Sequence, residues 1–457
     1  MAVRRRDLLA GAAALAGIAT VGLVPGTAAA AARQRPGALQ APALALGDRA
    51  IVGRASARKA FEHLEVLSNR IGPRVGGTAA EKQAADYIAS VLRKHRYTVT
   101  LQPFPVADKY LAEISVVGDR GRKWQTGAAP QGKLDVTVSG TVVDIGKATP
   151  ADLANVRGQI AFVPDSQTAS DAPRLAVEAG AIAVLLSRPG SPERKLGAFT
   201  PSLLAPLPVP VLGLAQVQGE KLKQALAAGP VRLSLTATHH KNLTSYNVIA
   251  ERAATLPNPD HQVVMISAHY DSVPGSPGAN DDGSGTALCL ELARVLRYLP
   301  TQKAIRFALW GSEEQGLIGS RAYVKQLSDP DAKRIAGCFQ NDMVATSWDP
   351  AIVYWLLSVD GGENATTSTL GRAARRLGYQ PRTKGPVARG SSDHVPFHER
   401  GIASANFSWR GESGPALLEP TYHTPEDTIA DNVSSERLQV SLELIGCAAY
   451  ELASQRD

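Results

Sequence analysis

The chain has little of what marks several common protein classes. Only three of its 457 residues are cysteines, Cys289, Cys338 and Cys447, and their spacing matches no zinc ribbon or redox motif. Buried apolar cysteines are expected, although one disulfide with a free thiol left over stays open. The net charge is +7, of which +2 comes from residues 1–32, and no dense stripe of lysine and arginine follows them. The sequence therefore predicts no nucleic-acid partner.

Beyond the first thirty residues, the sequence contains no apolar run long enough to suggest a membrane span. Within them, Arg4–Arg6 precede an apolar run over Leu8–Val24, and small residues follow at 28–32. This order is typical of a secretory signal, and the paired arginines are typical of the twin-arginine type. We expect residues 1–32 to be cleaved, giving a secreted or cell-envelope protein without stable membrane association. An uncleaved anchor is the alternative, since about 17 apolar residues are the lower edge of a span.

Composition divides the remainder of the chain into four segments. Residues 33–50 are rich in Pro, Ala and Gly and are predicted to be a linker. Residues 51–126 show helical spacing and then strand-like alternation, and 241–457 alternate strands with helices. Residues 127–240 contain short β-rich runs without clustered His, Asp or Glu. The pattern predicts an α/β fold whose mainly parallel central sheet is flanked by helices, interrupted by an inserted β-rich domain.

Potential metal ligands follow the predicted strands of the last segment. The strand at 262–268 leads into His269 and Asp271, and the strand at 304–310 leads into Glu313 and Glu314. Ligands of such sheets bind at the carboxyl ends of the strands, so these side chains are expected to meet.

Three further groups join them along the chain. Asp281 and Asp282 stand in a Gly-rich turn before a predicted helix, Asp342 follows the strand at 335–340, and His423 stands near the C-terminus. Acids at a helix start can be simple caps. Together, however, two histidines and several carboxylates without cysteine suit zinc, and also cobalt or manganese.

These motifs resemble the co-catalytic di-zinc aminopeptidases, the class of the secreted bacterial leucine aminopeptidases and the vacuolar aminopeptidase Y. The most specific runs are His-Tyr-Asp-Ser at 269–272, Gly-Ala-Asn-Asp-Asp-Gly-Ser-Gly at 278–285 and Glu-Glu-Gln-Gly-Leu at 313–317. The resemblance covers about residue 244 to the C-terminus, and 54–104 fit the N-terminal portion of the family. The segment at 127–240 is similar to a protease-associated domain, which several members carry in that place.

The resemblance implies two zinc ions per chain. His269 and Asp342 would bind one ion, Glu314 and His423 the other, and Asp281 would bridge them. In this family the peptide bond after the bridging aspartate is typically cis.

The same resemblance implies a hydrolytic exopeptidase that removes N-terminal residues from peptide substrates. Glu313 would be the general base that takes a proton from a water held between the metals. Asp271 would orient His269, and Tyr422 would donate to the developing oxyanion.

Other functions of this fold stay open. A carboxypeptidase or dipeptidase would need arginines near the pocket to bind the substrate carboxylate, and Arg389, Arg400 and Arg410 are candidates. A glutaminyl cyclase or a non-catalytic binding module is less consistent with the complete five-ligand set.

The chain departs from the family around residue 390. Some bacterial members place an Asp and an Arg there to help bind substrate, where this chain has Arg389 and Ser391. The substrate preference is therefore in doubt. We expect His394 near the pocket, whereas surface or structural positions are expected for four other histidines: His239, His240, His261 and His398.

Overall fold

The computed structural model describes residues 44–116, 123–166, 170–191 and 193–455. All of them fall in the unit that begins at Leu39. The predicted signal peptide and most of the predicted linker lie outside the described residues. Residues 46–50 of that linker differ from expectation, because they begin the first helix, α1 (Leu46–Val52).

Two helices and a strand precede the inserted region. Helix α2 (Ala57–Leu64) continues as a wider π-helical turn over Glu65–Ile71, and α3 spans Ala79–Lys94. The Thr78 side chain accepts from the backbone N–H of Glu81 and caps α3. Strand β1 (Thr98–Val106) follows and forms one edge of the large sheet.

The β-rich segment forms a closed seven-stranded barrel in the order β2-β3-β7-β6-β5-β4-β8. Its strands are β2 (Lys109–Val116), β3 (Trp124–Ala128), β4 (Val136–Asp144), β5 (Ile160–Val163), β6 (Ala183–Ser187), β7 (Val211–Leu214) and β8 (Arg232–His240). Helices α4 (Ala172–Glu178) and α5 (Gln216–Ala228) accompany them. The barrel begins at Lys109, earlier than the predicted boundary at residue 127, because β2 pairs with β8 along its whole length.

The large sheet has eight strands in the order β1-β9-β11-β10-β12-β15-β13-β14. Its remaining strands are β9 (Leu243–Arg252), β10 (Val263–His269), β11 (Ala304–Trp310), β12 (Ile335–Gln340), β13 (Val353–Ser358), β14 (Thr383–Ala388) and β15 (Ser404–Arg410). Strands β11, β10, β12 and β15 run parallel. Strand β9 pairs antiparallel with β1 and β11, whereas β13 pairs antiparallel with β15 and parallel with β14. The sheet is therefore mixed, and the predicted parallel arrangement holds for its centre.

Helices cover both faces of this sheet. They are α6 (Gly283–Leu296), α7 (Ile318–Lys325), α8 (Asp329–Lys333), α9 (Ala365–Leu377), α10 (His394–Glu399), α11 (Ile429–Asn432) and α12 (Ser435–Ser454). The main core lies where α2, α6, α9 and α12 pack on one face. All three cysteines are buried within the structure and unpaired. Among the described residues, no helix combines the length and apolar character that crossing a membrane requires.

The register of the central strands determines where the site lies. His269 at the end of β10 pairs with Trp310 at the end of β11, and Ser267 pairs with Gln340 at the end of β12. The residues that follow these three strands therefore meet at one edge of the sheet.

Candidate metal centre

His269 stands at the last position of β10, with 1% of its side chain exposed. Its Nε2 atom lies 3.2 Å from Oδ1 of Asp281, and 3.9 Å from Oδ1 of Asp342 and from Oε2 of Glu313. The predicted ligand therefore faces three carboxylates that come from three separate segments of the chain.

His423 approaches the same cluster from the opposite side. Its Nε2 atom lies 3.0 Å from Oδ2 of Asp281 and 3.0 Å from Oε2 of Glu314. The two carboxylate oxygens of Asp281 are thus divided between the two histidines, Oδ1 towards His269 and Oδ2 towards His423. This is the arrangement that a carboxylate bridging two cations requires.

The polar atoms of these side chains are left without ordinary partners. Four predicted ligands each carry a buried atom that makes no hydrogen bond of normal geometry among the described residues: Oδ2 of Asp281, Oε1 of Glu314, Oδ1 of Asp342 and Nε2 of His423. The fifth, His269, directs its Nε2 atom towards the carboxylates and its Nδ1 atom towards Asp271. Buried polar groups are rarely left unsatisfied, so this donor set fits bound cations.

Asp282 also lies within reach of His269 and Asp342 and could join a metal site. Its oxygens are already used, however, because they accept the backbone N–H groups of His269, Gly285 and Met343 at 3.2, 2.9 and 3.1 Å. It caps α6 and ties together the ends of two strands. We therefore assign Asp282 a structural part and keep Asp281 as the bridge. The Asp281–Asp282 bond is cis, as the resemblance implies.

Asp271 connects the first histidine to the acidic pair after β11. Its Oδ1 lies 3.5 Å from Nδ1 of His269 and accepts the backbone N–H of Glu313 at 2.9 Å. Its Oδ2 accepts the backbone N–H of Glu314 at 3.3 Å. The predicted orienting residue is thus in place to hold both a predicted ligand, His269, and the predicted general base, Glu313.

The electrostatics of the metal-free cluster show why it favours cations. Burial raises the pKa of Glu314 to about 7 and that of Glu313 well above its usual range, and neighbouring carboxylates add to both shifts. Burial opposes the charge of His423, but Glu314 and Asp281 outweigh it and raise its pKa to about 11. Without metal, protons and charged histidines balance the acids, and zinc would take over that part.

Tyr422 stacks on His423, with ring centroids 3.7 Å apart. Burial and the nearby carboxylates, Asp281 first, raise its pKa, so the hydroxyl remains protonated and able to donate.

Four non-glycine residues around the cluster have left-handed backbone conformations. They are Ser312, Leu317, Met343 and His423, with φ of 53°, 60°, 65° and 61°. Such conformations are unfavourable for L-residues and collect at functional sites. The side chain of His423 therefore depends on its surroundings to stay in position.

Two residues that support the cluster, Arg74 and Asp427, were not among the predicted site residues. Arg74 is fully buried and donates to five backbone carbonyls, including Tyr270, Pro277 and Gly278 of the loop after β10. Asp427 accepts the N–H groups of Asn280 and Asp281 at 2.9 and 3.0 Å. The run Thr-Pro-Glu-Asp at 424–427 was a visible signal for Asp427, whereas Arg74 carried none.

A barrel segment around Lys195 contacts the loop that carries His423. Lys195 forms an ion pair with Glu426 at 2.7 Å, and its backbone N–H donates to the carbonyl of Pro420. Residues of this segment and of the loop before His423 enclose a cavity of about 610 Å³. The cavity borders the candidate metal ligand His423 itself.

Some of the other arginines and histidines singled out in the sequence lie near the cluster, and others lie away from it. Arg400 pairs with Asp329 away from the cluster, whereas the positive charges of Arg389 and Arg410 act on Asp342. His394 is buried, and its Nε2 lies 2.8 Å from the carbonyl of Arg389. His239 stacks on Tyr110 in the barrel.

Known proteins are similar to this chain in sequence and in fold. The model of peptidase family M28 matches residues 247–447. Aminopeptidase YwaD of Bacillus subtilis is 39% identical over 400 residues, covering 86% of this chain and 84% of the relative. The solved structure of BSAP, a zinc aminopeptidase from Bacillus subtilis, has a TM-score of 0.62 and 37% identity over 88% of this chain and 96% of that one.

A third relative comes from Mycobacterium tuberculosis. The probable lipoprotein aminopeptidase LpqL is 32% identical, covering 67% of this chain and 62% of its own length. The family match, the identity to the Bacillus relative and the site geometry agree: this chain belongs to peptidase family M28.

Proposed function

We propose that this chain is a zinc aminopeptidase that hydrolyses the N-terminal bond of peptides. The observation that carries the proposal is Asp281, whose two oxygens face one histidine each at 3.2 and 3.0 Å. Its relatives include two proteins described as an aminopeptidase and a zinc aminopeptidase.

Two zinc ions are proposed per chain, with the five ligands divided around Asp281. His269 and Asp342 hold one ion, and Glu314 and His423 hold the other. The unpartnered buried atoms of Asp281, Glu314, Asp342 and His423 support this division, as does the approach of His269 Nε2 to Asp281 at 3.2 Å. Bound there, the ions supply Lewis acidity that activates water and polarises the scissile carbonyl.

The proton chemistry is assigned to Glu313. Its carboxylate lies within 3.9 Å of His269 Nε2 but is separate from the bridge, so it can face water beside the ligands. Burial raises its pKa, which brings a carboxylate towards the range where it both takes and returns a proton. It then passes the proton to the leaving amine.

Asp271 positions this base through the backbone N–H of Glu313 and orients His269. The protonated hydroxyl of Tyr422 is suited to donate to the oxyanion. The substrate amine, which is positively charged, would be stabilised by the carboxylates of the cluster.

We also propose that the barrel is a protease-associated domain inserted at 109–240 and that the chain is exported. The name of the mycobacterial relative, a probable lipoprotein aminopeptidase, supports a location outside the cytoplasm. The twin-arginine route rests on the run at Arg4–Arg6.

A carboxypeptidase is the second candidate, and one observation favours it. Arg389 and Arg410 each carry a buried Nε without a hydrogen-bond partner in the described residues, and both act on Asp342. Such guanidinium groups could bind a substrate carboxylate.

Substrate choice separates the two candidates. The mature chain, loaded with zinc, is tested on leucine p-nitroanilide, on its N-acetyl derivative and on a peptide blocked at the N-terminus but free at the C-terminus. Chelator-sensitive cleavage of the free-amine substrate alone supports the aminopeptidase. Cleavage of only the blocked peptide from its carboxyl end would replace that proposal with the carboxypeptidase.

A further inference from the structure

The cavity beside His423 has one wall that comes from the barrel. We call Arg188 and residues 193–200 the barrel wall; they line the cavity together with Pro420, Tyr422 and His423. Its volume of about 610 Å³ is that of a site for a small ligand. A peptide cleaved at His423 therefore has this space within reach of its next residues.

Two of the charged groups in the cavity, Lys195 and Glu419, already have partners. Lys195 pairs with Glu426, and the carboxylate of Glu419 accepts the side-chain amides of Asn280 and Asn432 at 2.7 and 3.1 Å. These groups hold the barrel and the site loops together, so they are not available to a ligand.

Arg188 differs from them. Its guanidinium stacks on the ring of Phe199, 3.9 Å from the ring centroid. Its Nε atom is buried and finds no hydrogen-bond partner within the described ranges. Burial lowers the pKa of Arg188.

A guanidinium that stacks on a ring and has an unpartnered Nε is suited to bind a carboxylate. Stacking on an aromatic ring fixes its plane, which leaves its N–H groups directed along the edge. Carboxylates match that edge with two parallel hydrogen bonds. The lining of the cavity also includes apolar side chains, among them Leu196, Val273 and Leu417.

We propose that Arg188 binds a carboxylate in the part of the peptide that leaves after cleavage. The enzyme then prefers peptides that carry a negative charge shortly after the scissile bond. The carboxylate can be the C-terminus of a short peptide or an acidic side chain. This inference rests on the proposed aminopeptidase function and specifies its substrate class.

The test compares matched peptides on the full, zinc-loaded chain. Leu-Gly-Gly against its C-terminal amide reports on the terminal carboxylate, and Leu-Glu-Gly-amide against Leu-Gln-Gly-amide reports on the side chain. We expect at least one pair to differ about tenfold in kcat/KM through KM, as charge-assisted hydrogen bonds imply. In Arg188→Gln that ratio falls to about one, and in Arg188→Lys it is intermediate.

Each ratio is measured within one variant, so a partly misfolded preparation does not change it. Arg174→Gln is the matched control, because Arg174 is an exposed barrel arginine paired with Asp171 and Glu178, and its ratios should equal those of the wild type. Wild-type ratios of one for both pairs would overturn the inference, and so would a preference that persists in Arg188→Gln. If the wild-type chain does not hydrolyse leucine p-nitroanilide at all, the proposed function itself is refuted.

Discussion

Gly197 of the barrel lies directly against the backbone carbonyl of His423. A Cβ atom at position 197 would overlap that oxygen more closely than any side chain tolerates. His423 itself has a left-handed backbone, with φ of 61°. The conformation of a candidate zinc ligand is therefore supported from the barrel, which the sequence assigned to a separate domain.

Replacing Gly197 by alanine should lower activity without unfolding the chain. The added methyl group pushes His423 or the barrel wall aside, and displacements of about 1 Å near a reacting centre can reduce rates about 100-fold. We expect kcat for leucine p-nitroanilide to fall at least tenfold while the melting temperature changes little. Gly414→Ala is the control, because nothing stands near its Cβ position. An unchanged kcat in Gly197→Ala would show that the barrel does not support His423.

Glu313→Gln separates the base from the ligands. Amide replacement removes proton transfer, which generally contributes about 10²–10⁴-fold. We expect kcat to fall by that factor while the zinc content, measured by atomic emission, stays equal to the wild type. The exposed Glu412→Gln serves as control and should change neither quantity. Loss of zinc from Glu313→Gln would instead make Glu313 a ligand.

Arg74→Lys should destabilise the chain strongly, although the substitution retains the positive charge. Lysine cannot reach the five carbonyls that the buried guanidinium binds. Hydrogen bonds to charged groups contribute about 1.5–3 kcal/mol each, so we expect at least about 3 kcal/mol lower free energy of unfolding. Urea unfolding measures this, with the exposed Arg93→Lys as control. A loss below about 1 kcal/mol would contradict the assigned role.

The elements were predictable where local signals and tertiary structure agree. Helix α9 (Ala365–Leu377) is an example, because Asn364 caps its start and Gly378 ends it in a left-handed conformation. The start of the barrel was missed because β2 pairs with β8, as in Tyr110 with His239, across more than a hundred residues. No local pattern reports such a pairing.

In the candidate site, the predicted ligands could be identified from the sequence, whereas the residues that support them could not. Its ligands follow strand ends and carry reactive side chains, so the sequence displays them. Arg74 could not be identified from the sequence because all its partners are backbone carbonyls, which any residue provides, and three of the five lie about 200 positions away. The contact between Gly197 and His423 depends on how the barrel packs, which composition does not encode.

The stability of the metal-free chain should fall as the pH rises from 6.5 to 8. Burial raises the pKa of Glu81 to about 8, and those of Asp393 and Asp427 to about 7. A folded-state pKa raised above the unfolded value gives stability that is lost as the pH rises through it. Each group contributes at most about 1.4 kcal/mol per pH unit. His63 and His95, lowered to about 4, act only below pH 6.5.

Urea unfolding of the EDTA-treated chain at the two pH values measures this loss. The zinc-loaded chain should lose less, because bound zinc removes the further contributions of Glu314 and His423, whose pKa values are raised to about 7 and about 11 without metal. Metal-free stability that rises between pH 6.5 and 8 would contradict the assigned burial effects.

The most direct test of the account is anomalous diffraction at the zinc edge from crystals of the zinc-loaded chain. We predict two peaks, about 3.5–4 Å apart, one beside His269 and Asp342 and one beside Glu314 and His423, with one oxygen of Asp281 on each. A single peak, or a pair bridged by Asp282 in place of Asp281, would contradict the proposed di-zinc centre.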